Sequence, residues 1–321
     1  MMASTAAVTG GAAGELGAPA ASPVAHQRRV GARIRAGLNH ISFITLAAIL
    51  CAVFLCYPVL DTFWLSVHNV NEFGQAQGFS GFGNFSTVLH DPAFTGAVLR
   101  SGIWTVVVVG VTTALGLFVA VLLNQPWRGR ALVRSLLLLP WVSSLVVTTL
   151  LWQWMSDPDF GALDHLLRDV QIIHGNLSWL GSAGYALPLM MWIAIWVSVP
   201  PTALIMLAGL QGIDRDVYEA AAMDGTRGYR LFVDMTLPLL RPVLTVTVLL
   251  NVIFVFNSFP IIWILTEGGP LGSTNTLPTY MYNLAFELNE MGAAAAVAVF
   301  MFFLLLIFSL IYTRLAWRNV R

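Results

Sequence analysis

Two groups of residues in this chain have the types and spacing to do chemistry. The first is a polar island between hydrophobic stretches, Gln211 to Arg241, which reads QGIDRDVYEAAAMDGTRGYRLFVDMTLPLLR and carries nine of the charged side chains. Within it Asp214 or Asp216 can cap a short helix over Val217 to Met223, and Gly225 supplies the positive φ that ends a helix. Glu219 can make a charge-assisted bond with a basic group of a partner, and the small side chains of Ala220, Ala221 and Ala222 would let such a helix enter a tight groove. A second helix is expected from Thr226 to Met235, before Pro238 and Pro242 redirect the chain. The second group lies in apolar surroundings, where polar side chains are expensive. Asn251, Phe254 and Ser258 fall at i, i+3 and i+7, on one helix face, with Asn257 beside them. Trp141 and Ser144 follow Pro140, and Trp192, Trp196 and Ser198 precede Pro200 and Pro201. Amide and hydroxyl groups next to aromatic rings suit sugars, whose hydroxyls pair with amides and whose C–H faces stack on rings. The same features also fit a solvated loop closed by a glycine turn, tryptophans anchored at a membrane interface, and Asn257 and Ser258 bonded between helices.

Other chemistry is excluded by what the chain lacks. All sixteen strongly basic residues are arginine, so a phosphate-binding loop with its lysine and a Schiff-base amine are both missing. Any ATP that serves this chain is therefore bound by another polypeptide. The six histidines, at 26, 40, 68, 90, 165 and 174, form no close-spaced ligand set. Cys51 and Cys56 are five apart in an apolar stretch, which puts them on different faces of a helix as lipid-facing or packing residues. No carboxylate falls at the centre of a span, since Asp61 is near the end of the first, so an ion relay lacks its usual group.

The elements that must position these residues are membrane helices. With 57% hydrophobic and only 10% charged residues, the composition lies outside the range of soluble domains. Residues 1–36 read as a disordered tail, poor in large apolar groups, and 37–321 as one transmembrane domain. About 20 helical residues cross a bilayer, and six stretches reach that length: about 41–67, 98–123, 131–155, 184–210, 242–265 and 292–316. Lipid cannot hydrogen-bond the backbone, so an all-α bundle of six transmembrane helices is expected, with the first span too long for a cleaved signal peptide. Arginines near span ends stay in the cytoplasm. All but Arg100 and Arg168 lie in the N-terminal region, in the segments 124–134 and 211–241, or at the C-terminal end. Acidic residues, from Glu72 and Asp91 through Asp157, Asp159, Asp164 and Asp169 to Glu267, Glu287 and Glu290, gather on the other side. Both termini and the island 211–241 are thus expected in the cytoplasm of a cell whose plasma or inner membrane holds the chain.

The order of motifs resembles the sugar-type permease subunits of bacterial ABC importers, the inner-membrane components of binding-protein-dependent systems that include the maltose and glycerol-3-phosphate permeases. The strongest block is YEAAAMDG, Tyr218 to Gly225, with Phe232, Leu237, Pro238 and Pro242 at the family's positions. FGNF at 82–85, LLLLPW at 136–141, WQWMSDPDFG at 152–161, LAGLQGID at 207–214 and LTEGGP at 265–270 follow in the same order. Asp214 and Arg215 depart from the proline and basic or polar residue usual after Ile213, and the first external loop is too short for the extra domain of the maltose permease.

The resemblance implies a type I importer permease fold with a cytoplasmic coupling loop over 211–241. It implies ATPase coupling through Tyr218, Glu219, Ala220, Ala221, Asp224, Gly225, Leu237 and Pro238, and a substrate pathway past Trp141, Ser144, Ser198, Phe254, Asn257 and Ser258. It further implies no cofactor on this chain, ATP and Mg on a partner ATPase present in two copies, a homologous second permease and an extracytoplasmic solute-binding protein that docks near Gly268 to Thr274. The alternatives are an ion-coupled secondary transporter of small polar solutes and a membrane-embedded enzyme, for which no nucleophile, base or metal cluster stands out.

Overall fold

The computed structural model describes residues 45, 48–71 and 73–318. The tail over 1–36, Glu72 and Arg321, which enter the expectations above, lie outside the described residues. The chain divides into two compact units, Met1–Leu60 and Asp61–Arg321. The described part of the first unit is the opening of an apolar helix, α1 (Ala48–Ser66), with a π turn over Ala52–Cys56. Its side chains up to Leu60 are exposed, and Cys51 and Cys56 are free thiols.

The second unit is built on long apolar helices, because at membrane depth a backbone must satisfy its own hydrogen bonds. The first of them within this unit, α3 (Pro92–Asn124), follows a short external helix, α2 (Gly83–His90). The Asp91 carboxylate accepts from Ala93 N at 2.8 Å and Pro92 occupies the first turn, a sound start for a helix. Helix α3 packs chiefly against α7 (Ala186–Gln211), whose Pro200 and Pro201 sit inside the helix. Close approach depends on Gly116: a Cβ there would lie 2.6 Å from Thr202 Cγ2 and 3.3 Å from the Ala203 amide nitrogen.

Two expected spans differ in form. In place of one helix over 131–155 there are two, α4 (Arg130–Val142) and α5 (Leu145–Met155), meeting at 92°. Pro140 contributes no amide hydrogen, and Ser143 and Ser144 take extended backbone, which ends the first helix. Ser143 Oγ then donates to the carbonyls of Leu139 and Pro140 at 3.2 and 3.0 Å, and lies 3.0 Å from Thr148 Oγ1 across the corner. The fifth span starts earlier than 242, as a turn at Tyr229–Leu231 and a π turn at Phe232–Thr236, and continues as α9 (Leu237–Phe256). It breaks at Asn257–Phe259 and resumes as α10 (Pro260–Thr266).

Neither Pro238 nor Pro242 redirects this chain. Pro238 lies in the first turn of α9, and the wider π turn just ahead accommodates the missing amide. The expected helix from Thr226 begins only at Tyr229, because Gly228 at φ +59° holds the chain out of helical geometry.

Shorter segments connect the long helices. Strands β1 (His68–Val70) and β2 (Ala76–Phe79) form a small antiparallel hairpin that stands apart from the otherwise helical fold. Asn84 Nδ2 donates to the Ser66 and His68 carbonyls, each at 2.9 Å, and ties α2 to this hairpin. Helix α6 (Ala162–Asp169) carries a buried carboxylate, Asp164, that accepts from Leu177 N at 2.9 Å and from Trp179 Nε1, organising the loop up to α7. After α10 come α11 (Leu277–Tyr282), a π turn at Asn283–Glu287 and α12 (Met291–Arg318). Helix α11 is pinned to the start of α3: Leu277 N donates to Ser101 Oγ at 2.8 Å, and the Tyr280 hydroxyl donates to Asp91 at 2.6 Å.

Two outcomes follow. Gly116→Leu should lower the thermal midpoint by overpacking the α3–α7 contact, at about 1–3 kcal/mol; Gly110→Ala, where a Cβ meets nothing within 4 Å, should keep or raise it in the same melting experiment. Burial, then the bond to Asp91 and its charge, raise the Tyr280 pKa above the ordinary phenol value. A raised folded pKa stabilises the fold below the unfolded value and loses that contribution as pH climbs. Melting curves should therefore show wild type losing stability above pH ~10 relative to Tyr280→Phe.

Candidate functional site

The polar island forms a short helix, α8 (Arg215–Met223), on its own between α7 and the fifth span. Asp214 occupies the N-cap position, yet its side chain makes no capping bond; Asp216 lies in the first turn, where a carboxylate suits the helix dipole. The C-terminus closes through Gly225 at φ +77°, with Gly225 N bonded to Ala222 O at 3.1 Å and Thr226 N to Ala221 O at 3.0 Å. That double closure around a left-handed glycine satisfies carbonyls the helix would leave open.

Exposure sorts the expected contact residues into two sets. Glu219, Ala220, Ala222, Met223, Asp224 and Gly225 face outward, and Met223 is 89% exposed. Ala221 is buried within this chain, at 1%, so it seats α8 on its own protein and does not enter a partner's groove. Tyr218 is half-buried and lines a cleft of about 550 Å³ with Asn124, Gln125, Tyr229 and Thr236. Leu237 and Pro238 lie apart from this surface, half-buried at the start of α9.

The pathway residues gather around the two helix breaks, though not all of them meet. Ser198 on α7, Phe254 on α9 and Ser258 in the break line one concavity together with Leu145, Ala194 and Ile261. The space they leave is about 10 Å³, the scale of one water and far below that of a sugar. Asn257 Nδ2 donates at 2.8 Å to Ile253 O on its own helix, and Asn257 stays outside this concavity. Trp141 and Ser144 are exposed at the corner between α4 and α5. Asn251 turns aside from Phe254 and Ser258 to bond Thr202 on α7 at 3.0 Å, an interhelical tie. Trp196 packs edge-on against Trp152 at 5.8 Å, and both line a hollow of about 520 Å³ in the corner between α4 and α5.

Three participants were missed in the sequence. Trp104 is 1% exposed and donates from Nε1 to Val255 O at 3.0 Å, serving a carbonyl next to the α9 break. A tryptophan amid valines in mid-span is a signal in itself, since its N–H must find an acceptor. Ser143 and Thr148 close the other break, and their signal was the Pro140-Trp-Val-Ser-Ser run. Among the described residues, no group of three or more His, Cys, Asp or Glu side chains could hold a metal ion.

The described fold is a bundle of long apolar helices, one span bent by 92° and the fifth interrupted at 257–259, with a short polar helix between two spans. Residues 112–320 match the family of binding-protein-dependent transport system inner membrane components. A probable ABC transporter permease protein of Brucella suis biovar 1 is 40% identical over 271 residues, covering 84% of this chain and 94% of that one. The trehalose/maltose transport system permease protein MalF of Thermococcus litoralis is 32% identical over 87% of this chain and 93% of its own length. The sn-glycerol-3-phosphate transport system permease protein UgpA of Yersinia pestis is 30% identical over 84% and 91%. A chain of a bacterial ABC transporter that imports alginate superposes with TM-score 0.78 at 19% identity, over 91% of this chain and all of that one, and so shares the fold. The chain belongs to the binding-protein-dependent transport system inner membrane component family.

Replacing Gly225 tests the closure of α8. Gly225→Val should strain the left-handed turn by about 1–2 kcal/mol and speed hydrogen exchange at the Gly225 and Thr226 amides, while Gly225→Asn should keep them protected; both should leave the bundle's melting midpoint in place.

Proposed function

We infer that the chain is the transmembrane permease subunit of an ATP-driven importer, moving a carbohydrate or glycerol-phosphate-type solute into the cytoplasm by alternating access. The observation that carries this reading is α8, a short helix closed at its C-terminus by Gly225 that exposes Glu219, Ala220 and Asp224 while Ala221 is buried against its own protein. A membrane motor needs such a lever, because ATP is bound elsewhere: this chain has no lysine for a phosphate loop, and ATP and Mg belong to two copies of a partner ATPase. Glu219 bonds a basic group of that partner, Tyr218 and Gly225 hold the lever's two ends, and Leu237 with Pro238 passes its motion into α9. The arginine distribution supports a cytoplasmic place for α8 and for both termini.

A homologous second permease completes the pathway, and the breaks at Ser143–Ser144 and Asn257–Phe259 are where it opens and closes. Ser198, Phe254 and Ser258 are the contacts nearest one another, with Trp141, Ser144 and Asn257 reaching the solute once the concavity widens. The solute class rests on the relatives that transport trehalose or maltose and sn-glycerol 3-phosphate. An extracytoplasmic solute-binding protein meets the loop after α10, where Thr274 is buried and bonded to Gly269 O at 2.7 Å while Leu271 stands fully exposed at the tip. The ion-coupled alternative has no counterpart among the relatives above, which are permeases of named transport systems or of the ABC type.

Glu219→Lys and deletion of residues 217–225 should each cut uptake by at least about tenfold, the equivalent of 1.4 kcal/mol of lost coupling. Uptake of labelled maltose, trehalose and sn-glycerol 3-phosphate is measured in cells, together with co-purification of the ATPase. Unchanged ATPase capture and unchanged uptake in both variants would sink the reading.

A further inference from the structure

We propose that the segment Trp127–Arg134 and the helix it opens bind the headgroup of an anionic phospholipid. Three arginines fall in this short stretch, Arg128, Arg130 and Arg134, and the sequence contains no carboxylate between Asp91 and Asp157 to neutralise them. Gly129, at φ +96°, makes the turn that sets Arg128 and Arg130 on either side of the helix start, and both are exposed. Arg130 and Arg134 are one helical turn apart and share a face. Arg134 Nε is buried with no hydrogen-bond partner among the described residues. A buried charged donor left without an acceptor is costly, so this one calls for an anion from outside the chain.

The opposite face of α4 is apolar and open, with Leu132 64%, Leu136 53% and Leu139 63% exposed. Helix α4 meets α5 at 92°. With α5 packed along α7 and the fifth span, α4 lies close to the membrane plane, its leucines toward acyl chains and its arginines toward headgroups. That is the geometry of an interfacial amphipathic helix, whose binding adds buried apolar area to attraction for anionic lipid. Trp127 completes it: half-buried, with Nε1 donating to Leu122 O at 3.0 Å, it anchors the segment at the depth where tryptophan concentrates. None of its arginines belongs to α8, and the proposal stands whether or not the chain is an importer.

The test reconstitutes the full chain in nanodiscs of equal dioleoyl phosphatidylglycerol and dioleoyl phosphatidylcholine, releases it into detergent and counts retained lipids by native mass spectrometry. Phosphatidylglycerol should be retained over phosphatidylcholine by at least about fivefold, the scale of one arginine at a charged surface. The triple variant Arg128→Gln, Arg130→Gln, Arg134→Gln should bring the ratio to about one, and the corresponding Arg→Lys triple should keep most of it. If the glutamine triple fails to fold by circular dichroism, the single Arg128→Gln and Arg130→Gln variants should each lower the ratio. Equal retention by wild type, or a preference untouched by these substitutions, overturns the proposal. Displacement of phosphatidylglycerol by excess inorganic phosphate also overturns it, because the site would then recognise free phosphate and not lipid.

Discussion

A backbone amide or carbonyl at membrane depth has no water to turn to, and the rest of this fold is arranged around that constraint. Long helices satisfy it automatically. Where a helix stops inside the bundle, something else must supply the bonds, and the same device recurs at both breaks: a side chain reaches back. Ser143 bonds carbonyls at the end of α4, and Trp104 reaches across from α3 to Val255 beside the break in α9. The π turn at Phe232–Thr236 plays a related part, making room for Pro238 without ending the helix. The breaks are therefore built features, though unbroken helices also hold polar groups, as where Asn251 bonds the buried Thr202.

The polar helix α8 obeys the opposite rule. It lies among charged residues, its C-terminus is closed by a left-handed glycine, and Ala221, with the half-buried Val217 and Tyr218, faces its own protein. The half-buried Tyr218 lines the cleft beside this helix together with Asn124, Gln125, Tyr229 and Thr236.

Much of this was legible in the residues. Hydropathy marks the stretches that became α3, α7, α9 and α12, because the length of a bilayer crossing and the cost of charge inside it leave a coarse, strong signal. The left-handed glycine after α8 was legible because a helix followed by Gly in a polar run has few other ways to end. The bend at Ser143–Ser144 was not, since a proline and two serines in an apolar run are equally compatible with a straight, back-bonded helix. Nor was the separation of Asn251 from Phe254 and Ser258: they share a face by spacing, but Thr202 on α7 captures the amide. The burial of Ala221 among exposed alanines was likewise hidden, because three neighbouring methyl groups are chemically alike.

By itself, the sequence determined the solvent each segment lives in, the chemistry this chain cannot perform and the order of motifs that marks its family. These are properties of composition and local spacing, and they survive any packing. The tertiary structure alone decided which polar groups are spent on holding helices together and which remain free for a solute, a partner or a lipid. The reason is physical: at membrane depth every donor seeks the nearest acceptor, and what is nearest across two helices is set by their crossing and their breaks, not by the distance between residues along the chain.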